Sequence, residues 1–130
     1  MILTPAQREF LDGRHYAVVA TLHSDGSIQQ TVVWYLLDDD DMLRFSVNAG
    51  SVKARNLRER ATLTLTVQVG PRYLSLSGAA LVEPADPALR LRLAVRYLGP
   101  EQAEAWVARR PDTPRASVRV ALQRVYGQGV

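Results

Sequence analysis

The residues best suited to chemistry lie in one run, Ser51-Val52-Lys53-Ala54-Arg55-Asn56-Leu57-Arg58-Glu59-Arg60, which holds four cations in ten positions. It follows Ala49-Gly50, and Ser51 is a good helix cap, so a helix is expected to begin here. A helix start offers unpaired N–H groups and the positive end of the helix dipole, both suited to a phosphate. Lys53 and Asn56, three residues apart, share a face, and Arg55 could reach from the side. Arginine grips phosphate bidentately, whereas lysine acts as a compact charge. The competing reading is a plain amphipathic connector with solvated cations, and the run alone leaves both open.

Elsewhere the catalytic inventory is thin. His15 and His23 sit near turns and lack the spacing of metal ligands or of a hydrolytic triad. Asp38-Asp39-Asp40-Asp41 is expected to be a solvated turn tip, because no histidine or spaced acid accompanies it. No metal site is expected. Neither a P-loop nor Gly-x-Gly-x-x-Gly occurs. An enzyme of this make-up borrows its chemistry from a cofactor. Trp34, at the end of a strand-like stretch, reads first as core and second as a cofactor wall.

Composition narrows the setting. The 130 residues suit a single domain, 1–130, and with 47% of them hydrophobic the chain can bury a core. Fifteen of the sixteen cations are arginine, which fits the codon bias of a GC-rich genome better than selection for nucleic acid; a net charge of +3 is small. With no cysteine, disulfides, thiolate metal sites and cysteine nucleophiles are excluded. The longest apolar runs, such as 31–37, are too short to span a membrane, and Arg8, Glu9 and Asp12 interrupt any signal-like segment. A cytoplasmic location is the expectation.

The elements that must position these residues follow from patterning. Thr4-Pro5 starts a short helix to Leu11. Strands are expected over 16–22 and 28–37, joined by Ser24-Asp25-Gly26-Ser27, and over 42–47. A helix over 52–60 leads to strands at 61–69 and 72–82 about a Gly70-Pro71 turn. In the first of these, Leu63, Leu65 and Val67 face one way and Thr62, Thr64 and Thr66 the other. A helix reaches about Tyr97 with Leu89, Leu93 and Val95/Arg96 on its apolar edge; Gly99-Pro100 stops it, and a second helix runs from Glu101 to Arg109. Pro111 and Pro114 bracket a loop, and a last strand covers 116–125. The order is a mainly β (α+β) pattern, barrel-like rather than βαβ.

Taken in order, Thr31-Val32-Val33-Trp34, the acidic turn, and Gly50-Ser51-Val52-Lys53-Ala54-Arg55-Asn56-Leu57 resemble the pyridoxamine 5′-phosphate oxidase-like split β-barrel flavoproteins. Gly78-Ala79-Ala80-Leu81-Val82-Glu83 closes the similarity, which is most specific at Lys53 to Leu57. Within that family the chain most resembles the actinobacterial branch that uses the deazaflavin coenzyme F420. The resemblance implies a six-stranded antiparallel split barrel with peripheral helices, and a homodimer with cofactor sites at the subunit interface. It also implies Thr31 and Trp34 beside the tricyclic ring; Ser46, Val47 and Asn48 along the ring edge and ribityl chain; and Lys53, Arg55 and Asn56 on the phosphate. Val32 stands where the family often has proline, and Ala80 where a strand cation is frequent.

Four functions follow. The first is an F420-dependent reductase moving a hydride between the deazaflavin and an unsaturated small molecule, with Tyr35, Tyr73 or water as proton source and no catalytic residue singled out. FMN in place of F420 gives the second, an oxidoreductase or oxidase. The third is a non-catalytic module that carries cofactor or binds a tetrapyrrole. A nucleic-acid-binding barrel is the fourth, disfavoured because the strands lack interleaved surface aromatics and cations. Arg58 and Arg60, beyond the phosphate cluster, are expected to attract the anionic tail that distinguishes F420 from FMN.

Overall fold

Thr4 opens the first element as the sequence suggests. Its Oγ1 accepts the Gln7 N–H at 3.1 Å and its own N–H donates to Gln7 Oε1 at 3.0 Å, a reciprocal cap on helix α1 (Pro5–Asp12). The computed structural model describes residues 2–109 and 114–130; the loop expected after Pro111 thus lies mostly outside the described residues. Strands β1 (Ala17–Leu22) and β2 (Ile28–Val33) form a hairpin. Its turn is held by Asp25 Oδ1, which accepts from the Ser27 amide at 2.9 Å and hydroxyl at 2.6 Å. Gly26 takes a φ of 85°, a conformation that favours glycine. Strands β3 (Leu36–Leu37) and β4 (Met42–Asn48), helix α2 (Val52–Glu59), and strands β5 (Thr62–Val69) and β6 (Arg72–Pro84) follow. Helices α3 (Pro87–Leu98) and α4 (Pro100–Ala108) precede the last strand, β7 (Arg115–Gln128).

All pairings are antiparallel, in the order β2-β1-β5-β6-β7-β4-β3. That order implies a curled sheet. The outermost strands, β2 and β3, are consecutive in the chain and joined only by Trp34-Tyr35. Two linking residues span roughly 10 Å at most, so the sheet must bend round until its edges meet. The result is the expected split barrel, with seven described strands rather than six. The extra strand corrects the sequence reading: 28–37 is not one strand but two, broken where the chain leaves one sheet edge for the other. β6 and β7 slip register between Ser77 and Gly78, where a Cβ on Gly78 would collide with the Ala121 carbonyl.

The barrel interior is filled by alternate residues. Leu63, Leu65 and Val67 of β5 are buried as the alternation predicts, with Phe45, Leu74, Leu76, Val118 and Val120 around them. A smaller cluster of Leu36, Leu89, Leu93 and Tyr97, with Trp34 against it, docks α3 on the closing edge. Here the helix phase differs from expectation: Ala94 and Tyr97 face inward beside Leu89 and Leu93, and Val95 is exposed.

The acidic turn also differs from a solvated tip. Asp41 is only 7% exposed, with a φ of 63°, and its carboxylate pairs with Arg8. Asp38 pairs with Arg92 at 2.8 Å and Arg44 at 3.7 Å. Arginines from α1, β4 and α3 therefore gather on this turn, and the acids tie peripheral helices to the barrel. Among the described residues no group of three or more candidate metal ligands is found.

Candidate functional site

β4 and α2 meet beside the closing edge of the barrel, and between them lies a cavity of about 260 Å³. Its floor is Ser46, Val47 and Asn48 at the end of β4, its rim Ser51 and Lys53 at the start of α2. Val32, Val33 and Trp34 line it from the end of β2, and Arg90 and Leu93 of α3, with Trp106 of α4, line it from the helices. Arg115, the first residue of β7, completes it.

The start of α2 is built as the sequence suggests. Ser51 Oγ accepts the Ala54 N–H at 3.2 Å. The amides of Val52 and Lys53 have no acceptor within the helix, because they lie in its first turn. Inward-facing Ala54 and Leu57 anchor the helix to the core, and this phase decides where its polar residues go.

Antiparallel pairing sets Arg115 opposite Asn48. Its guanidinium is held by β4: Nε and Nη2 donate to Ser46 Oγ at 3.2 and 2.9 Å, and Nη1 donates to Asn48 Oδ1 at 2.7 Å. Lys53 stands half-buried close enough for Arg115 to act on it. Burial, and after it the Arg115 charge, hold the Lys53 ammonium below its ordinary pKa. The lining thus brings three cations, Lys53, Arg90 and Arg115, to one cavity. The Arg115 charge beside the half-buried Lys53 disfavours the lysine's charged form, and an anion bound there favours it.

The aromatic wall is a stack. Trp34 lies flat on Tyr97, with ring centres 5.0 Å apart and planes 7° apart. Trp106 meets Trp34 at 5.0 Å in a tilted contact, and the Arg90 guanidinium covers Trp106 at 5.2 Å. Both tryptophans of the chain therefore border this one cavity.

Of the eight residues expected at a cofactor, Trp34, Ser46, Val47, Asn48 and Lys53 line the cavity. Thr31, Arg55 and Asn56 do not. Asn56 is 2% exposed and donates through Nδ2 to Thr21 Oγ1 at 3.1 Å, tying α2 to β1. Arg55 is exposed on the side of α2 away from Ala54 and Leu57, and Thr31 lies farther along β2. Tyr35 is wholly buried, donates to the Leu11 carbonyl at 2.8 Å, and has its phenol pKa pushed up by burial. Neither it nor Tyr73 borders the cavity, so neither is placed to supply a proton there. Sequence reasoning missed Arg90, Trp106 and Arg115, which reach the site only through tertiary packing.

The family model described as pyridoxamine 5′-phosphate oxidase matches residues 3–129, and the chain belongs to that family. A curated relative, the F420H2-dependent biliverdin reductase of Mycobacterium tuberculosis (strain CDC 1551 / Oshkosh), is 36% identical over 123 residues, covering 91% of this chain and 82% of that protein. A solved F420 reductase superposes with a TM-score of 0.77 at 25% identity, over 95% of this chain and 98% of that one. A conserved hypothetical protein from Mycobacterium tuberculosis gives 0.79 at 24% identity, over 98% and 85% of the two chains, which speaks for the fold alone.

Proposed function

We propose that this chain is an F420-dependent reductase that passes a hydride from the reduced deazaflavin to an unsaturated organic molecule. The observation that carries the reading is the meeting of Lys53 and Arg115 with the start of α2 and the Trp34 wall in one cavity of the family's fold. The F420 cofactor fits this donor set. Lys53, Arg115 and the first amides of α2 suit its phosphodiester, while Trp34, Val47 and Leu93 offer an apolar wall to its ring. When bound, the reduced deazaflavin supplies the hydride, and the protein's part is binding, orientation and exclusion of water. Ser46 and Asn48 fix the Arg115 guanidinium so that it meets the anion already aligned. A proton from water balances the hydride in this proposal. The relative's name makes biliverdin the first substrate to test.

A homodimer belongs to the same proposal. Val18, Ile28 and Val32 on the β1–β2 hairpin are exposed apolar side chains, and a second copy covering them would also close a site too small for a whole cofactor.

Because both tryptophans border the cavity, their emission reports its occupancy. Titration should show quenching by F420 at lower concentration than by FMN, and F420H2 should be oxidised in the presence of biliverdin. Tighter binding of FMN, or no response to F420, overturns the reading.

Affinity should also depend on pH in a stated direction. With its pKa held low, Lys53 loses its proton at a lower pH than an exposed lysine, so affinity falls as the medium turns alkaline. The phosphodiester has no ionisation there to mask the effect. Bound anion raises the lysine pKa, so binding takes up protons in that window. Lys53→Arg, which stays charged, should flatten the profile; an unchanged slope in that variant would remove Lys53 from the anion site.

A further inference from the structure

Trp34 cannot hold its own orientation. It sits in the two-residue link between β2 and β3, outside any described ladder, where no strand pairing fixes its backbone. Its aromatic neighbours, Tyr97 and Trp106, come from far along the chain. Tyr97, near the end of α3, covers the indole face at 5.0 Å with planes 7° apart, and Tyr16 in turn stacks on Tyr97 at 5.6 Å. The Tyr97 hydroxyl reaches past the ring into the same corner. It accepts the Tyr35 N–H at 3.1 Å, donates to the His15 carbonyl at 2.5 Å, and lies 3.2 Å from the Tyr35 carbonyl. The Arg96 guanidinium stands 5.5 Å from the Tyr97 ring centre and fixes it in turn. One side chain thus provides both the surface on which Trp34 rests and the partner for the peptide that follows it.

We propose that Tyr97 is a positioning residue: it touches no ligand, but sets the angle and rigidity of the Trp34 wall against which the cofactor ring is held. The inference rests on the reading of the cavity as the F420 site. Two different losses are separable in its side chain. Tyr97→Phe keeps the ring stack and gives up the bonds to the corner, whereas Tyr97→Leu gives up both. A ring released from its stack regains rotamer freedom, and binding must then order it again.

The test uses the full chain with Tyr97→Phe and Tyr97→Leu, followed by near-UV circular dichroism without ligand and by F420 titration. Tyr97→Leu should flatten the tryptophan dichroism and weaken F420 by about tenfold, an aromatic contact's worth. Tyr97→Phe should keep most of the dichroism and weaken binding by about threefold. In turnover the loss should appear in KM for F420H2 rather than in kcat. If the Leu variant does not fold, the Phe variant carries the test alone. Wild-type affinity in the folded variants, despite F420 binding by the parent, overturns the positioning role. A parent that ignores F420 while Tyr97→Leu still loses its tryptophan dichroism overturns the cofactor reading instead.

Discussion

Replacing Lys53 and Arg115 together by alanine is expected to weaken F420 binding by roughly a thousandfold, the loss of two charge-assisted contacts of about 1.5–3 kcal/mol each. The single variants should each lose more than half of this on a logarithmic scale. Each cation raises the energy of the other in the empty cavity, so removing one takes away a contact and also the repulsion that the bound anion would have relieved. Arg115→Lys should rescue little. The Ser46 and Asn48 oxygens hold a planar fork, and an ammonium cannot satisfy both and still face the anion. Arg55→Ala serves as the internal comparison, since that side chain is exposed and stands off the cavity. Far-UV dichroism should be unchanged throughout. A double variant that binds within about threefold of the parent would mean that the phosphodiester lies elsewhere.

The sequence carried the local part of this structure and little of its closure. Alternation in β5 and the Thr4 cap are set by neighbours in the chain, and both are found as read. The break at Trp34-Tyr35 is not local. Residues 28–37 are continuous strand formers, and they part only because the curling sheet brings its two edges to that point. The acidic turn misled for a related reason: its arginine partners come from α1, β4 and α3, far apart in sequence.

The site divides in the same way. Lys53 and the β4 floor were legible through a family-like run, whereas Arg115 reaches them only by strand pairing and Arg90 and Trp106 only by helix docking. Arg55 could have been placed from the sequence. At about 100° per residue it stands roughly 200° round the helix from Lys53, opposite the face that Ala54 and Leu57 bury. Arg58 and Arg60, expected to attract an anionic tail, also have partners within the chain. Arg58 donates to the Ala49 carbonyl at 2.8 Å, and Arg60 donates to the Leu22 carbonyl at 3.2 Å and pairs with Glu59 at 2.7 Å.

Arg96→Ala is expected to be among the most destabilising surface-reaching changes in the chain. Its Nη1 donates to the Asp12 carbonyl at 3.0 Å, and its Nη2 to the carbonyls of Leu11 and Gly13 at 3.0 and 2.7 Å. These acceptors end α1, where the helix dipole is negative and a fixed cation is favoured. The same guanidinium lies 5.2 Å from the Tyr35 ring centre. One side chain therefore joins α3 to α1 and to the closing corner of the barrel. Alanine leaves three carbonyls without this donor, one of them shared with the buried Tyr35 hydroxyl, at a cost of about 3 kcal/mol. In a chain this size that lowers Tm by roughly 10 °C or more. Lysine keeps the charge but not the fork, so Arg96→Lys should recover less than half. Arg58→Ala, which removes one exposed carbonyl bond, should cost under about 1 kcal/mol. Urea melts of the three variants beside the parent make the comparison. If Arg96→Ala unfolds within about 1 kcal/mol of the parent, α1 is held by its apolar residues Phe10 and Leu11 and by the pairing of Arg8 with Asp41, and the Arg96 clasp is incidental to the fold.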